Sequence, residues 1–199
     1  MNASSWRVVS LGVLMALTGC MDNRVDTKCS DLYTSRMDSH DFEHLEGGIT
    51  LHNPSNLIFT RCAVGQRFVN FKCVGTPTKL NWDDAQNYVQ EIATKSGEQW
   101  RVPTRKEFAL IFEDRCINPA VNPYVFPNME VANYWTSSKR MSPDAFRCSI
   151  YSYQGSAYCR QSRKLEQPFF MVRDWTLLAT LRWESLTWPS VYRNNIIAR

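Results

Sequence analysis

The chain is poor in the motifs that announce catalytic chemistry. It has no G-x-S-x-G elbow, no phosphate-binding loop and no dinucleotide fingerprint. The commonest hydrolase, nucleotide and nicotinamide readings therefore find nothing to stand on. No two cysteines stand in the short C-x-x-C spacing of a zinc knuckle. A surplus of one charge is also missing. The formal net charge is +4 over 199 residues, and loss of the first residues with Arg7 would lower it by one. That is too mild to draw nucleic acid, so no nucleic-acid partner is expected. There is no internal repeat. With 44% apolar and 21% charged residues, the composition is neither disordered nor collagen-like.

What is present begins with a leader. Arg7 supplies a positive start, and Val8 to Leu17 forms an apolar stretch too short to span a bilayer. It ends in Leu17-Thr18-Gly19-Cys20, which resembles the lipobox of bacterial lipoprotein precursors. In that reading a nucleophilic thiol takes the lipid, and the small residue before it lets the peptidase close on the cut. Cys20 is then the lipid attachment point and the new N-terminus. The bland alternative is an ordinary secretory peptide with an incidental cysteine. Met21, rather than Asp, follows the cysteine, which by the same resemblance implies the outer membrane of a Gram-negative envelope. Several acyl chains give lasting anchorage where one gives only reversible binding.

Seven cysteines less Cys20 leave Cys29, Cys62, Cys73, Cys116, Cys148 and Cys159. An even set in an exported chain reads as disulfides. Spacing favours Cys62 with Cys73 and Cys148 with Cys159, each closing a short loop. Cys29 with Cys116 follows by elimination and would tie an N-terminal arm to the body.

The chain divides into a leader (1–19), a polar tether (20–46), one domain (47–174) and a Trp-rich extension (175–199). The tether is expected to be mostly loop, with a short helix near 38–46. Ile49 to His52 and Leu57 to Arg61 flank Asn53-Pro54-Ser55-Asn56 and read as a hairpin. Gln66 to Val74 is a further strand or a loop clamped by its cysteines. Asn81 caps a helix with Asp83 and Asp84 in its first turn, and Gly97 ends it. Thr104-Arg105-Lys106-Glu107 after Pro103 is a capping box. Strand-like runs follow at Tyr134 to Ser137, Phe146 to Tyr153, Ala157 to Gln161 and Phe169 to Arg173. In the extension, 175–188 has helical spacing, and Arg182 and Glu184 rule against a membrane span. The pattern is α+β: two helices among short antiparallel strands.

A series of short runs in order carries a family resemblance. It includes Gly48-Ile49-Thr50, Asn56-Leu57-Ile58-Phe59, Cys73-Val74-Gly75 and Asn81-Trp82-Asp83-Asp84-Ala85. It continues through Trp100-Arg101-Val102-Pro103-Thr104, Asn118-Pro119-Ala120, Tyr134-Trp135-Thr136-Ser137-Ser138 and Phe170-Met171-Val172-Arg173. Together they resemble the Lcl C-terminal domain family of bacterial surface proteins, with His52 standing where the family often has Asp. That family is similar in turn to C-type-lectin-like and formylglycine-generating-enzyme folds. The resemblance implies a lectin-like domain, with Trp100 and Trp135 as core aromatics. It also implies a binding or adhesion role, since the family includes adhesins that take polysaccharides such as sulfated glycosaminoglycans.

Two sharper chemistries compete with that role. His40-Asp41-Phe42-Glu43-His44 matches the H-x-x-E-H pattern of inverted zincins, so His40 and His44 are the candidate metal ligands. The motif lies in a polar arm without an apolar helix to hold it, and no metal or other cofactor is expected. The oxidase relatives use two nearby cysteines with copper in C-x4-C spacing, whereas Cys148 and Cys159 are further apart across a turn and read as a structural disulfide. The calcium-site tripeptides of lectins are missing. The leading expectation is a non-catalytic, lipid-anchored binding or adhesion domain for polysaccharide. The alternative is a periplasm-facing lipoprotein that binds a protein partner, and an oxidase-like enzyme ranks third.

Overall fold

A computed structural model describes residues 25–35, 39–139 and 144–175. The lipid-attachment residue Cys20 and the extension beyond Trp175 lie outside the described residues. The order is α1 (Cys29–Leu32), β1 (Phe42–Leu45), β2 (Ile49–His52), β3 (Leu57–Thr60), β4 (Arg67–Val69) and β5 (Lys72–Val74). Next come α2 (Trp82–Ser96), α3 (Arg105–Ala109), β6 (Asn133–Lys139), β7 (Phe146–Tyr151), β8 (Ser156–Ser162) and β9 (Val172–Asp174). The chain is a mixed helix and antiparallel-strand fold held by three disulfides.

Among the described residues the strands form three antiparallel sheets: β1-β2-β3-β9, the β4-β5 hairpin, and β6-β7-β8. The β2–β3 pair is the expected hairpin, closed by a 3-10 turn at Asn53–Ser55 with Asn56 left-handed. Strand β9 joins β3 from the far end of the sequence, setting Ile58 opposite Arg173.

Strand β1 corrects the expected helix near 38–46. The reason is long-range. Phe42 packs against His52, with ring centroids 4.8 Å apart, and edge-on to Phe126 at 5.4 Å. These contacts and the pairing of Phe42 to Leu45 with β2 fix an extended backbone that local propensity did not signal. The polar arm thus gives α1 and β1 to the body. Cys29 is bonded to Cys116, and the two are buried with Tyr33. Burial and the neighbouring Glu113 push the Tyr33 phenol up to about 12, against the opposing pull of Arg115.

Helix α2 starts where the sequence places it. The Asn81 side chain accepts from the Asp84 amide, and Gly97, left-handed at φ 71°, closes the last turn. Helix α3 is only five residues long and depends on its cap. Thr104 accepts from the Glu107 amide, and the Glu107 carboxylate accepts in return from the Thr104 amide.

The sheet β6-β7-β8 separates two apolar clusters. On one side Tyr134 and Ile150 join Phe108, Ile111, Phe126 and Phe170. On the other Trp135 joins Trp82, Ala85, Val89 and Phe169. Alternating residues of β6 therefore face opposite cores, as the pleat requires. Trp135 is fully buried, and its indole donates to the Leu80 carbonyl at 2.8 Å. Trp100 packs at the rim of that cluster, only partly buried.

Candidate functional site

The residues singled out as metal candidates do not converge. His40 lies in a turn and His44 on β1, so the i, i+4 helical face that H-x-x-E-H needs is not formed. Among the described residues, no group of three His, Cys, Asp or Glu side chains could hold a metal ion. His52 is buried and pairs through Nδ1 with the Ser55 hydroxyl at 2.7 Å. Burial lowers its pKa, and Asp41 opposes that only in part. Cys148 and Cys159 are joined across β7 and β8, and Cys62 and Cys73 staple the base of the β4–β5 hairpin. Neither pair presents a thiolate. These are the pairs that loop spacing favours.

Several charged groups are engaged in pairs that brace the fold. Arg101 donates through both terminal nitrogens to the Glu107 carboxylate, at 2.6 and 2.7 Å. Burial alone would raise the Glu107 pKa, but the Arg101 and Thr104 hydrogen bonds outweigh it and the net shift is downward. Arg163 bridges Asp83 on α2 and Asp144 before β7. Arg147 lies over the Trp82 ring, 4.5 Å from its centroid, and pairs with Asp144. That pairing holds the Asp144 carboxyl below its usual range. These contacts pin the start of α2 to the β6–β8 sheet.

Two surfaces among the described residues are suited to receive a ligand. The first is an open cleft of about 790 Å³ between the β1–β2 turn, the loop after β3 and α2. Phe68, Phe71, Tyr88 and Met171 give it apolar walls, and Arg67 and Glu46 stand among its lining groups. Gly48 shapes it. A Cβ there would lie 2.5 Å from the Phe68 Cβ, and its φ of +74° already suits glycine alone.

The second surface is an outer sheet face with three tyrosines. Register places Ser149 opposite Tyr158 and Tyr151 opposite Ser156, so Tyr151 and Tyr158 share a face of β7 and β8 on a diagonal. Asn133, opposite Tyr151, shares it too. Further along, the same face is covered by α2 through Trp135. Beyond that cover, Tyr151 is 37% exposed and Tyr158 51%. Tyr153 stacks on Tyr151, with centroids 6.1 Å apart and planes 18° from parallel. Flat aromatic faces with phenolic edges, held on stapled strands, can take an amphipathic ring by stacking and hydrogen bonding. Composition did not reveal this face. Its signal was the run Tyr151, Tyr153 and Tyr158 around Gly155, which alternates correctly only once the strand register is known.

No functionally curated protein matches the chain. The Lcl C-terminal domain family matches residues 48–173, more than half of the chain, and this span takes in β2 through Arg173 of β9, with the tyrosine face and all of the cleft lining except residues 44–47. The chain belongs to the Lcl C-terminal domain family.

Proposed function

We propose that this protein is a membrane-anchored lipoprotein that presents a non-catalytic, C-type-lectin-like binding domain for polysaccharide. The tyrosine face carries the reading. A polysaccharide offers repeated rings with apolar C–H faces and hydroxyl rims, and stacked tyrosines on a rigid sheet complement both. The lipid anchor at Cys20 and an outer-membrane address rest on the lipobox-like leader. The family's adhesin members support the ligand class. A glycan array probed with the whole chain tests it. Binding to polysaccharide features is the expected result. An array with no signal, together with co-purification of one protein partner, would favour the protein-binding lipoprotein instead.

A further inference from the structure

We propose that the β4–β5 hairpin is a second membrane contact, shaped for the anionic headgroup surface of a bilayer. The inference goes beyond the glycan reading, because it uses another face of the domain and requires no lipid on Cys20.

The turn itself is the first observation. Asn70 and Phe71 have φ of 48° and 61°, so both central residues of a two-residue hairpin turn are left-handed. Such turns favour Asn-Gly, since only glycine takes the second position without steric cost. Here a phenylalanine stands there. The ring meets Phe68 edge-on at 6.0 Å, yet 49% of the residue is exposed. A strained backbone thus presents a large apolar side chain at the tip, and such strain is a pointer to function.

The flanking strands continue the pattern. Arg67 pairs with Val74 and Val69 with Lys72, so these four share the outward face of the hairpin. Val69 is 43% exposed and Val74 46%, and Arg67 and Lys72 are exposed as well. The inward pair is Phe68 with Cys73. Phe68 lies 4.1 Å under the Arg61 guanidinium, and Cys73 is bonded to Cys62. Arg61 in turn donates to the Val125 and Tyr124 carbonyls at 2.9 and 2.6 Å. The hairpin is therefore braced from below while apolar and cationic side chains alternate above.

Charge chooses the partner. From Gly47 to Trp82 the sequence contains no Asp or Glu, and the two cations on the outward face of the hairpin, Arg67 and Lys72, are both exposed; Glu46 is the acidic group in the cleft beside Phe71. An apolar tip flanked by the exposed cations Arg67 and Lys72 complements an interface of acyl chains below anionic headgroups. A protein partner fits less well. Three partly exposed side chains offer far less than the ~800 Å² per partner of a stable protein interface. A bilayer needs only a few inserted groups when they arrive on a rigid support.

The test uses residues 20–199 carrying Cys20→Ala, so that neither an acyl chain nor the apolar leader can hold the vesicle. Flotation is measured with phosphatidylcholine vesicles with and without phosphatidylglycerol, and amide hydrogen exchange is followed over residues 66–74. The expected result is stronger flotation on the anionic vesicles, with slower exchange in the hairpin. Phe71→Gly should lower the partition about tenfold, the loss from one part-exposed aromatic. Arg67→Gln and Lys72→Gln should each lower it about fivefold on anionic vesicles only. Glycine suits the left-handed backbone, so Phe71→Gly keeps its thermal transition, and a loss of binding cannot be laid to unfolding. Val69→Ser with Val74→Ser gives an independent reading. Equal binding to neutral and anionic vesicles would overturn the proposal. So would hairpin exchange unchanged by vesicles, or partition unchanged by all of these variants. Loss of glycan binding with vesicle binding intact would sink only the tyrosine-face reading.

Discussion

Glu107 offers the sharpest test of how this domain holds its core. Helix α3 has five residues, too few to form without help, yet it places Phe108 in the fully buried centre of the larger cluster. Its carboxylate accepts from the Thr104 amide at 2.8 Å and from both terminal nitrogens of Arg101. Glu107→Gln keeps the shape and an acceptor for the cap but removes the charge. The lost charge-assisted pair is partly exposed, with the Arg101 side chain at 37% and Glu107 at 22%. After allowance for solvent screening the cost is about 1 kcal/mol. Glu107→Ala also abolishes the return bond of the capping box and should cost about 2 kcal/mol. For a domain of this size each kilocalorie lowers Tm by about 4 °C. The pH dependence gives the sign independently. The folded-state pKa of Glu107 is lowered from an ordinary value of 4.5. Its charge therefore contributes fully above that value, and the contribution is lost as pH falls through the lower folded value. Urea unfolding of parent and Glu107→Gln should differ at neutral pH and converge in acid below 4.5. A constant gap across that range, or no gap at neutral pH, would refute the reasoning.

Further outcomes follow from the staples and from the buried histidine. Cys29–Cys116 closes a separation of 87 residues and Cys62–Cys73 one of 11. In the chain-entropy account, replacing the first pair with alanine should cost about 4.6 kcal/mol and the second about 2.8 kcal/mol. Urea midpoints should show that order, and equal losses would contradict it. His52 is held neutral by burial, its pKa lowered from 6.5. The unfolded chain binds the extra proton first, so stability should fall as pH drops below 6.5 toward the folded value. His52→Gln should flatten that part of the curve, and an unchanged slope would show that another group is responsible.

Much of this fold is legible in the sequence where the signal is local. Asn81 and Gly97 mark the ends of α2, Thr104 and Glu107 mark the start of α3, and Asn53-Pro54-Ser55-Asn56 marks the first turn. The cysteine spacings point to the short loops. What the sequence hides is non-local. Strand β1 has only Phe42 and Leu45 as apolar positions, and its conformation depends on His52 and Phe126. Phe169 and Phe170 read as strand, yet they lie in irregular chain before β9. They are nonetheless core residues, because Pro168 and Phe169 supply carbonyls to the Trp135 and Val64 amides. The tyrosine face needs the β7–β8 register, which includes an irregularity between Arg147 and Ser149. The Asn70-Phe71 turn was hidden for a simpler reason: phenylalanine carries no turn signal.

The polysaccharide reading rests on two exposed rings more than on any other groups. Tyr151→Ala with Tyr158→Ala leaves the buried residues of both clusters in place, so the fold should persist. Each exposed aromatic at such a surface is worth about tenfold in affinity. Calorimetric titration of the best-bound polysaccharide against the whole chain and this double variant is the most direct measurement. The account predicts a dissociation constant weakened about a hundredfold with Tm nearly unchanged. An unaltered constant in a folded double variant would contradict it.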